Sequence, residues 1–121
     1  MAKIGILPCG GACNVGMLTI KATIAMAKEH EEVSYVCPLG LPLGIQSIIA
    51  KARQSEKFIA LNGCEMVCAS KALQAVSITP EKAILLTADY GLKKNKNFDD
   101  ETKLPEIIGD VRGEVDSIMA K

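Results

Sequence analysis

The feature that most constrains the fold is an alternation of short apolar runs with segments of helical periodicity. The apolar runs have the length of buried strands, and they are Lys3–Leu7, Val33–Val36, Lys57–Leu61 and Ala83–Thr87. Helical segments are predicted after them at residues 15–29, 44–55 and 69–76 and from Leu104 onward. This order predicts an α/β protein whose parallel sheet carries helices on both faces.

The same order limits how the strands can be arranged. Right-handed crossovers between parallel strands leave few topologies, and the favoured strand order is 2-1-3-4. The prediction is therefore a small three-layer sandwich with a four-stranded parallel sheet, a Rossmann-like or flavodoxin-like arrangement. The 121 residues contain no internal repeat or linker, so a single α/β domain over residues 1–121 is expected.

The apolar pattern also predicts which helix faces are buried. The first helix is expected to bury Met17, Ile20, Ile24 and Ala27. The last helix is expected to bury Ile108, Val111, Val115, Ile118 and Met119. The charged segment at residues 93–103 is interpreted as a mobile surface loop.

Composition argues against several classes of partner. Fourteen basic and fourteen acidic residues give no net charge, and no basic stripe with aromatic residues predicts nucleic-acid binding. No uninterrupted apolar stretch is long enough to span a bilayer, and the first residues lack a signal-peptide layout. A cytoplasmic protein is expected. Five cysteines in such a chain favour metal or redox chemistry over disulfides.

The cysteines follow the predicted strands. Cys9, Cys37 and Cys64 come at the ends of the first three strands, and Cys13 and Cys68 come about one turn further along. The carboxyl ends of parallel strands share one edge of the sheet, where α/β proteins bind ligands. We therefore expect all five thiols at that edge, and we expect the sulfurs of Cys64 and Cys68 to converge on one helix face.

Clustered thiols at helix N-termini suit a cation. Such N-termini favour thiolates, and thiolates close together need a positive charge between them. Zn²⁺ and iron–sulfur clusters are the two usual solutions, with zinc preferred here. A metal-free redox or sulfur-handling site is the alternative. The glycine-rich turn at residues 10–16 matches neither a dinucleotide motif nor a P-loop, so no nucleotide cofactor is predicted.

Three stretches resemble a known family. Cys9-Gly10-Gly11 with Asn14-Val15-Gly16, Cys37-Pro38-Leu39, and Asn62-Gly63-Cys64 with Cys68-Ala69 are similar to the DGC-domain family of zinc-binding proteins. The resemblance implies metal ligands at Cys9, Cys37, Cys64 and Cys68. Cys13 is then an accessory thiol: an extra ligand, a resolving thiol or incidental. Asn62 stands where the family name implies aspartate.

Two function classes follow from these patterns. The first is a zinc-binding protein with a metal- or sulfur-handling or regulatory role, which would have the metal ion and a cytosolic protein as partners. The second is a thiol-based redox or sulfur- or selenium-transfer enzyme, or an iron–sulfur protein. The patterns leave open whether the chain is an enzyme. Asp89 is interpreted as a general base, as a hydrogen-bond partner that orients a ligand residue, or as a turn former.

Overall fold

The computed structural model describes residues 3–120, so residues 1, 2 and 121 of the predicted domain lie outside the described part. The strands are β1 (Ile4–Pro8), β2 (Val33–Tyr35), β3 (Lys57–Asn62) and β4 (Lys82–Leu85). The helices are α1 (Asn14–Glu29), α2 (Gln46–Ala52), α3 (Cys68–Ala75), α4 (Leu86–Asp89) and α5 (Leu104–Met119). All strand pairs are parallel and the order is β2-β1-β3-β4, which confirms the predicted sheet.

Alternation along the two central strands divides the core into two layers. Ile4 and Ile6 of β1, with Ile59 and Leu61 of β3, face α1 and α5. Leu7, Phe58 and Ala60 point to the opposite face, where they pack with α2, α3 and the loop residue Leu41. The molecule is therefore the three-layer α/β arrangement that the sequence predicts.

The buried face of α1 differs from the prediction. Its buried residues are Asn14, Val15, Gly16, Leu18, Thr19, Ala22, Thr23 and Met26. The predicted stripe was wrong, and its member Ile24 is exposed. Threonine can be buried on a helix when its hydroxyl bonds a main-chain carbonyl one turn earlier. Thr19 Oγ1 donates to the Gly16 carbonyl at 2.6 Å and Thr23 Oγ1 donates to the Thr19 carbonyl at 2.8 Å.

Three other predictions need correction, those for the fourth strand, for α5 and for α2. The fourth strand ends at Leu85, and the apolar run continues as the short helix α4, where Leu86 is buried. Asp89 closes that turn because its Oδ2 accepts the Leu85 N–H at 3.0 Å, as a turn former would. In α5, Ile107 is fully buried while Met119 is exposed. The predicted α2 was also too long, since only residues 46–52 are helical.

None of the described helices combines the length and apolar character needed to cross a membrane.

Candidate functional site

Four of the five cysteines line one pocket at the carboxyl edge of the sheet. Cys9 directly follows β1, Cys13 precedes the first residue of α1, and Cys64 follows β3 by two residues. Cys68 is the first residue of α3. These thiols, together with Gly11, Ala12, Gly63, Met66 and Lys94, enclose a volume of about 280 Å³, which we call the thiol pocket. The switch point between β1 and β3 thus brings together residues from three separate parts of the chain.

Glycines on either side make room for the Cys9 sulfur. A Cβ atom placed on Gly63 would lie 3.2 Å from Cys9 Sγ, and one on Gly11 would lie 4.0 Å from the same atom. The Gly11 position is also 3.8 Å from Cys13 Sγ. Side chains at Gly11 and Gly63 would therefore occupy the space beside the sulfurs that a ligand of the thiols would use.

The Thr19 side chain of α1 contacts the Cys9 sulfur. The Thr19 hydroxyl lies 3.7 Å from Cys9 Sγ and already donates its proton to the Gly16 carbonyl. A neutral Cys9 thiol is therefore the donor in this contact. The Gly10 N–H points at the same hydroxyl oxygen at 3.5 Å. This buried threonine of α1 is thus a neighbour of Cys9, the first predicted ligand.

Cys13 has a structural role of its own. Its sulfur accepts the Gly16 N–H at 3.4 Å and so acts as the N-cap of α1. The side chain is 5% exposed, the least of the five thiols. This sulfur therefore helps to start α1, and its role toward a ligand stays a prediction.

The turn between β3 and α3 positions Cys64 and Cys68. The two cysteines do not share a helix face as predicted, because α3 begins only at Cys68. A tight turn joins them instead: the Val67 N–H donates to the Cys64 carbonyl at 3.0 Å, and Val67 has a left-handed φ of 46°. The helical spacing was the wrong reason for placing both thiols in one pocket.

Asn62 holds the start of α3. Its Oδ1 accepts the Ser70 N–H at 3.1 Å, and its Nδ2 donates to Ser70 Oγ at 2.9 Å. The side chain is 1% exposed, and it caps a helix whose own N-cap residue, Val67, offers no side-chain bond. Asn62 therefore fixes Cys68 indirectly, which gives the residue at the family's aspartate position a structural role.

Cys37 lies apart from the other four thiols. It is exposed and lines a different pocket of about 300 Å³ between β2 and α2, with Tyr35, Ser47 and Lys51 among its neighbours. Burial, followed by the charge of nearby Cys37, raises the pKa of Tyr35. Within residues 3–120, no three Cys, His, Asp or Glu side chains already lie close enough together to hold a metal ion.

Sequence reasoning missed two residues of this site. Asn14, 3% exposed, donates through Nδ2 to the Lys93 carbonyl at 2.8 Å and accepts the Asn95 N–H through Oδ1 at 2.7 Å. Its backbone N–H also donates to the Asn95 carbonyl at 2.9 Å. These three bonds fix residues 93–95, so this part of the predicted mobile loop is anchored, and Lys94 joins the pocket lining. The sequence offered one signal for Asn14, which is that a polar residue stands at the start of the predicted first helix.

Asp89 and Tyr90 belong to another part of the molecule. Both line a groove of about 510 Å³ between β4 and α5, where the Tyr90 hydroxyl donates to Asp110 at 2.7 Å. Burial and this bond raise the pKa of Tyr90 well above its usual value. Neither residue lines the thiol pocket, so Asp89 is not placed to act as a base there.

Fold and site together define a class: small α/β proteins with a thiol-lined pocket at the switch point of a parallel sheet. A family model, the DGC domain, matches residues 5–111. The chain belongs to the DGC-domain family, as its cysteine motifs predict. No curated protein matches the chain, and no solved structure matches it.

Proposed function

We propose that this protein binds a soft metal ion, Zn²⁺ in the first place, through thiolates at the carboxyl edge of its sheet. The observation that carries the proposal is that four thiols from two separate segments, residues 9–13 and 64–68, line one pocket of about 280 Å³. Thiolates are preferred ligands of zinc and of iron–sulfur clusters. The role we propose is metal or sulfur handling or regulation in the cytoplasm, with a cytosolic protein as a further partner.

The donor set and its surroundings fit such an ion. Cys9, Cys64 and Cys68 supply soft sulfur ligands, and the missing side chains of Gly11 and Gly63 leave space beside the Cys9 sulfur. Pocket-lining residues also begin or precede two helices, α1 and α3, whose N-termini favour negative charge. Because these three thiols are not yet grouped around a common centre, binding requires their side chains to turn toward one another.

We propose Cys37 as the fourth ligand. Cys13 is already bonded to the Gly16 N–H, whereas Cys37 is exposed and has no such role. Recruiting Cys37 requires the loop after β2 to bring it to the thiol pocket. A bound Zn²⁺ would supply positive charge that holds the thiolates together and polarises any further ligand.

The experiment is metal analysis of the reduced protein, purified without added metal and again after loading with zinc. The proposal expects about one zinc per chain, as for a protein whose thiolates share one ion. Replacing Cys9, Cys64 or Cys68 by serine should remove most of this zinc. A wild-type protein that retains no zinc after loading and desalting would overturn the proposal.

A pair of variants decides the fourth ligand. Cys13→Ser is a mild change, because serine is itself a favoured N-cap and can keep the bond to Gly16. Cys37→Ser alters an exposed side chain. We expect Cys37→Ser to lower zinc content far more than Cys13→Ser, and the reverse result would exchange their roles.

Thiol chemistry without a metal is the second candidate. It is favoured by the separation of the thiols in the described residues and by the contact between Cys9 and Thr19. Metal-free protein with one thiol that alkylates much faster than the others would support it. Visible absorption in the purified protein would instead indicate an iron–sulfur cluster.

A further inference from the structure

Lys94 reaches the thiol pocket because its neighbours on both sides are fixed. The Lys93 carbonyl and the Asn95 backbone bond to Asn14, and Asn14 is buried at the start of α1. The anchored segment lies 79 to 81 residues from Asn14 in the chain, so these are tertiary bonds. We call residues 93–95 the strap. Lys94, at its centre, lines the same pocket as Cys9, Cys13, Cys64 and Cys68.

Among the described residues, the only charged one in the lining of the thiol pocket is basic. The residues that line the thiol pocket include one lysine and no aspartate or glutamate. The acidic residue next to the lining in sequence is Glu65, between Cys64 and Met66. Its pKa is lowered first by its own backbone N–H and then by the Thr87 side chain and the charge of Lys94. Glu65, which is not a lining residue, therefore offsets part of the positive charge of Lys94. The pocket lining thus includes a lysine and residues at the N-terminal ends of α1 and α3, all of which favour negative charge near the thiols.

We propose that Lys94 is an electrostatic positioning residue of this site, held in place by Asn14, and that the pocket receives negatively charged partners for its thiols in preference to neutral ones. Molecules of this class include anionic disulfides, anionic thiols and anionic metal–thiolate complexes. The inference rests on the proposed function only in taking these thiols to be the working groups of the site. It requires no metal to be bound.

The test compares two aromatic disulfides on the reduced, metal-free full chain in a Cys37→Ser background, which removes the exposed thiol outside the thiol pocket. The reagents are the dianion dithiobis(nitrobenzoate) and the neutral dithiodipyridine. In both reactions a thiolate attacks one sulfur, the disulfide bond breaks, a mixed disulfide forms and an aromatic thiolate or thione leaves. Because the same thiolate attacks both reagents at the same pH, its ionised fraction cancels in the ratio of the two rates. The ratio reports the charge that the reagent meets in the pocket.

Lys94→Met should lower the ratio of anionic to neutral rates about three- to tenfold at low ionic strength, the size expected for one unit charge several ångströms from a dianion in water. Lys93→Met and Lys96→Met are matched controls, since they remove the same charge from the same segment outside the pocket lining. Both should leave the ratio within about twofold of wild type, and Glu65→Gln should raise it. In about 1 M salt the difference should vanish.

Asn14→Ala tests the strap. It should lower the ratio nearly as far as Lys94→Met does, and adding Lys94→Met to it should change the ratio little further. A purely structural defect would slow or accelerate both reagents together and leave the ratio unchanged. Equal ratios in wild type, Lys94→Met and Lys93→Met would overturn the inference.

Zinc content separates this result from the proposed function. A chain that binds no zinc but shows the Lys94-dependent ratio would sink the zinc proposal and support the positioning role. A chain that binds zinc while Lys94→Met leaves the ratio unchanged would do the opposite.

Discussion

Gly16 is the position where a single methyl group should do most harm. A Cβ atom there would lie 2.0 Å from the Gly11 carbonyl oxygen, 2.6 Å from the Gly11 carbonyl carbon and 2.7 Å from its nitrogen. A Cβ atom essentially never lies closer than 3.0 Å to such an atom, so the glycine-rich turn or the first turn of α1 must shift by at least the difference between 3.0 and 2.0 Å. The atoms in the way are backbone, which cannot rotate aside.

The magnitude follows from two opposing terms. Replacing a helical glycine by alanine gains about 1 kcal/mol of helix propensity. Forcing an extra carbon into a packed site costs about 1–3 kcal/mol or more, and a backbone collision belongs at the upper end. Gly16→Ala should therefore lower the free energy of unfolding by about 2 kcal/mol.

The chain supplies a matched control in α5. Gly109 and Gly113 are exposed helical glycines with no atom within 4 Å of an added Cβ. Gly109→Ala should raise the free energy of unfolding by about 0.5–1 kcal/mol, because the propensity gain stands alone. Urea unfolding of the reduced proteins, followed by circular dichroism, measures both. If Gly16→Ala were as stable as Gly109→Ala, the close approach of α1 to the glycine-rich turn would be refuted.

Three further predictions concern side chains. Asn62→Ala should lower the free energy of unfolding by about 2 kcal/mol, measured by urea unfolding, because it leaves the Ser70 N–H at the start of α3 without its partner. Arg112→Ala should raise the pKa of Glu29, measured by NMR titration, because the Arg112 hydrogen bond and charge hold that pKa below its usual value. A carboxyl with a depressed folded-state pKa stabilises the fold above its unfolded pKa, so the deficit of this variant should shrink as pH falls through the folded-state pKa of Glu29. Tyr90→Phe should remove the phenolate titration of Tyr90 at high pH, which is measured by ultraviolet absorption. It should leave zinc content unchanged, because Tyr90 lies in the groove beside Asp110 and outside the thiol pocket.

The sheet could be predicted because its central strands are apolar on both faces. β1 and β3 lie between two helical layers, and a continuous apolar run is typical of that position. The end of β4 could not be predicted in the same way. Leu86 continues the apolar run, and the helical turn is seen only in tertiary structure, from the bonds of the Leu85 N–H to Asp89 and of the Tyr90 N–H to the Leu86 carbonyl.

The buried face of α1 shows a different limit. The apolar residues that α1 buries against the sheet are Val15, Leu18, Ala22 and Met26, and Gly16, Thr19 and Thr23 are buried beside them. Threonine hydroxyls satisfied within the helix, and a glycine needed for close approach, carry no apolar signal. This face also supports the Cys9 sulfur.

The thiol pocket could be predicted only in outline. Strand ends placed Cys9 and Cys64 correctly at one edge, because the topology alone brings them together. The separate location of Cys37 depends on how the loop after β2 packs, which no local pattern determines. Lys94 was missed because its position depends on tertiary bonds to Asn14 rather than on its own neighbours in the sequence.

The bond between Asn14 and Asn95 has a consequence for synthesis on the ribosome. The two residues are 81 positions apart, so a growing chain needs roughly 4–16 s after adding the first before it adds the second. During that interval Cys9 and Cys13 have already been synthesised, but the strap that carries Lys94 has not. In the newly made protein, the thiols of Cys9 and Cys13 are therefore exposed to solvent for a time before the positive charge of Lys94 is present beside them.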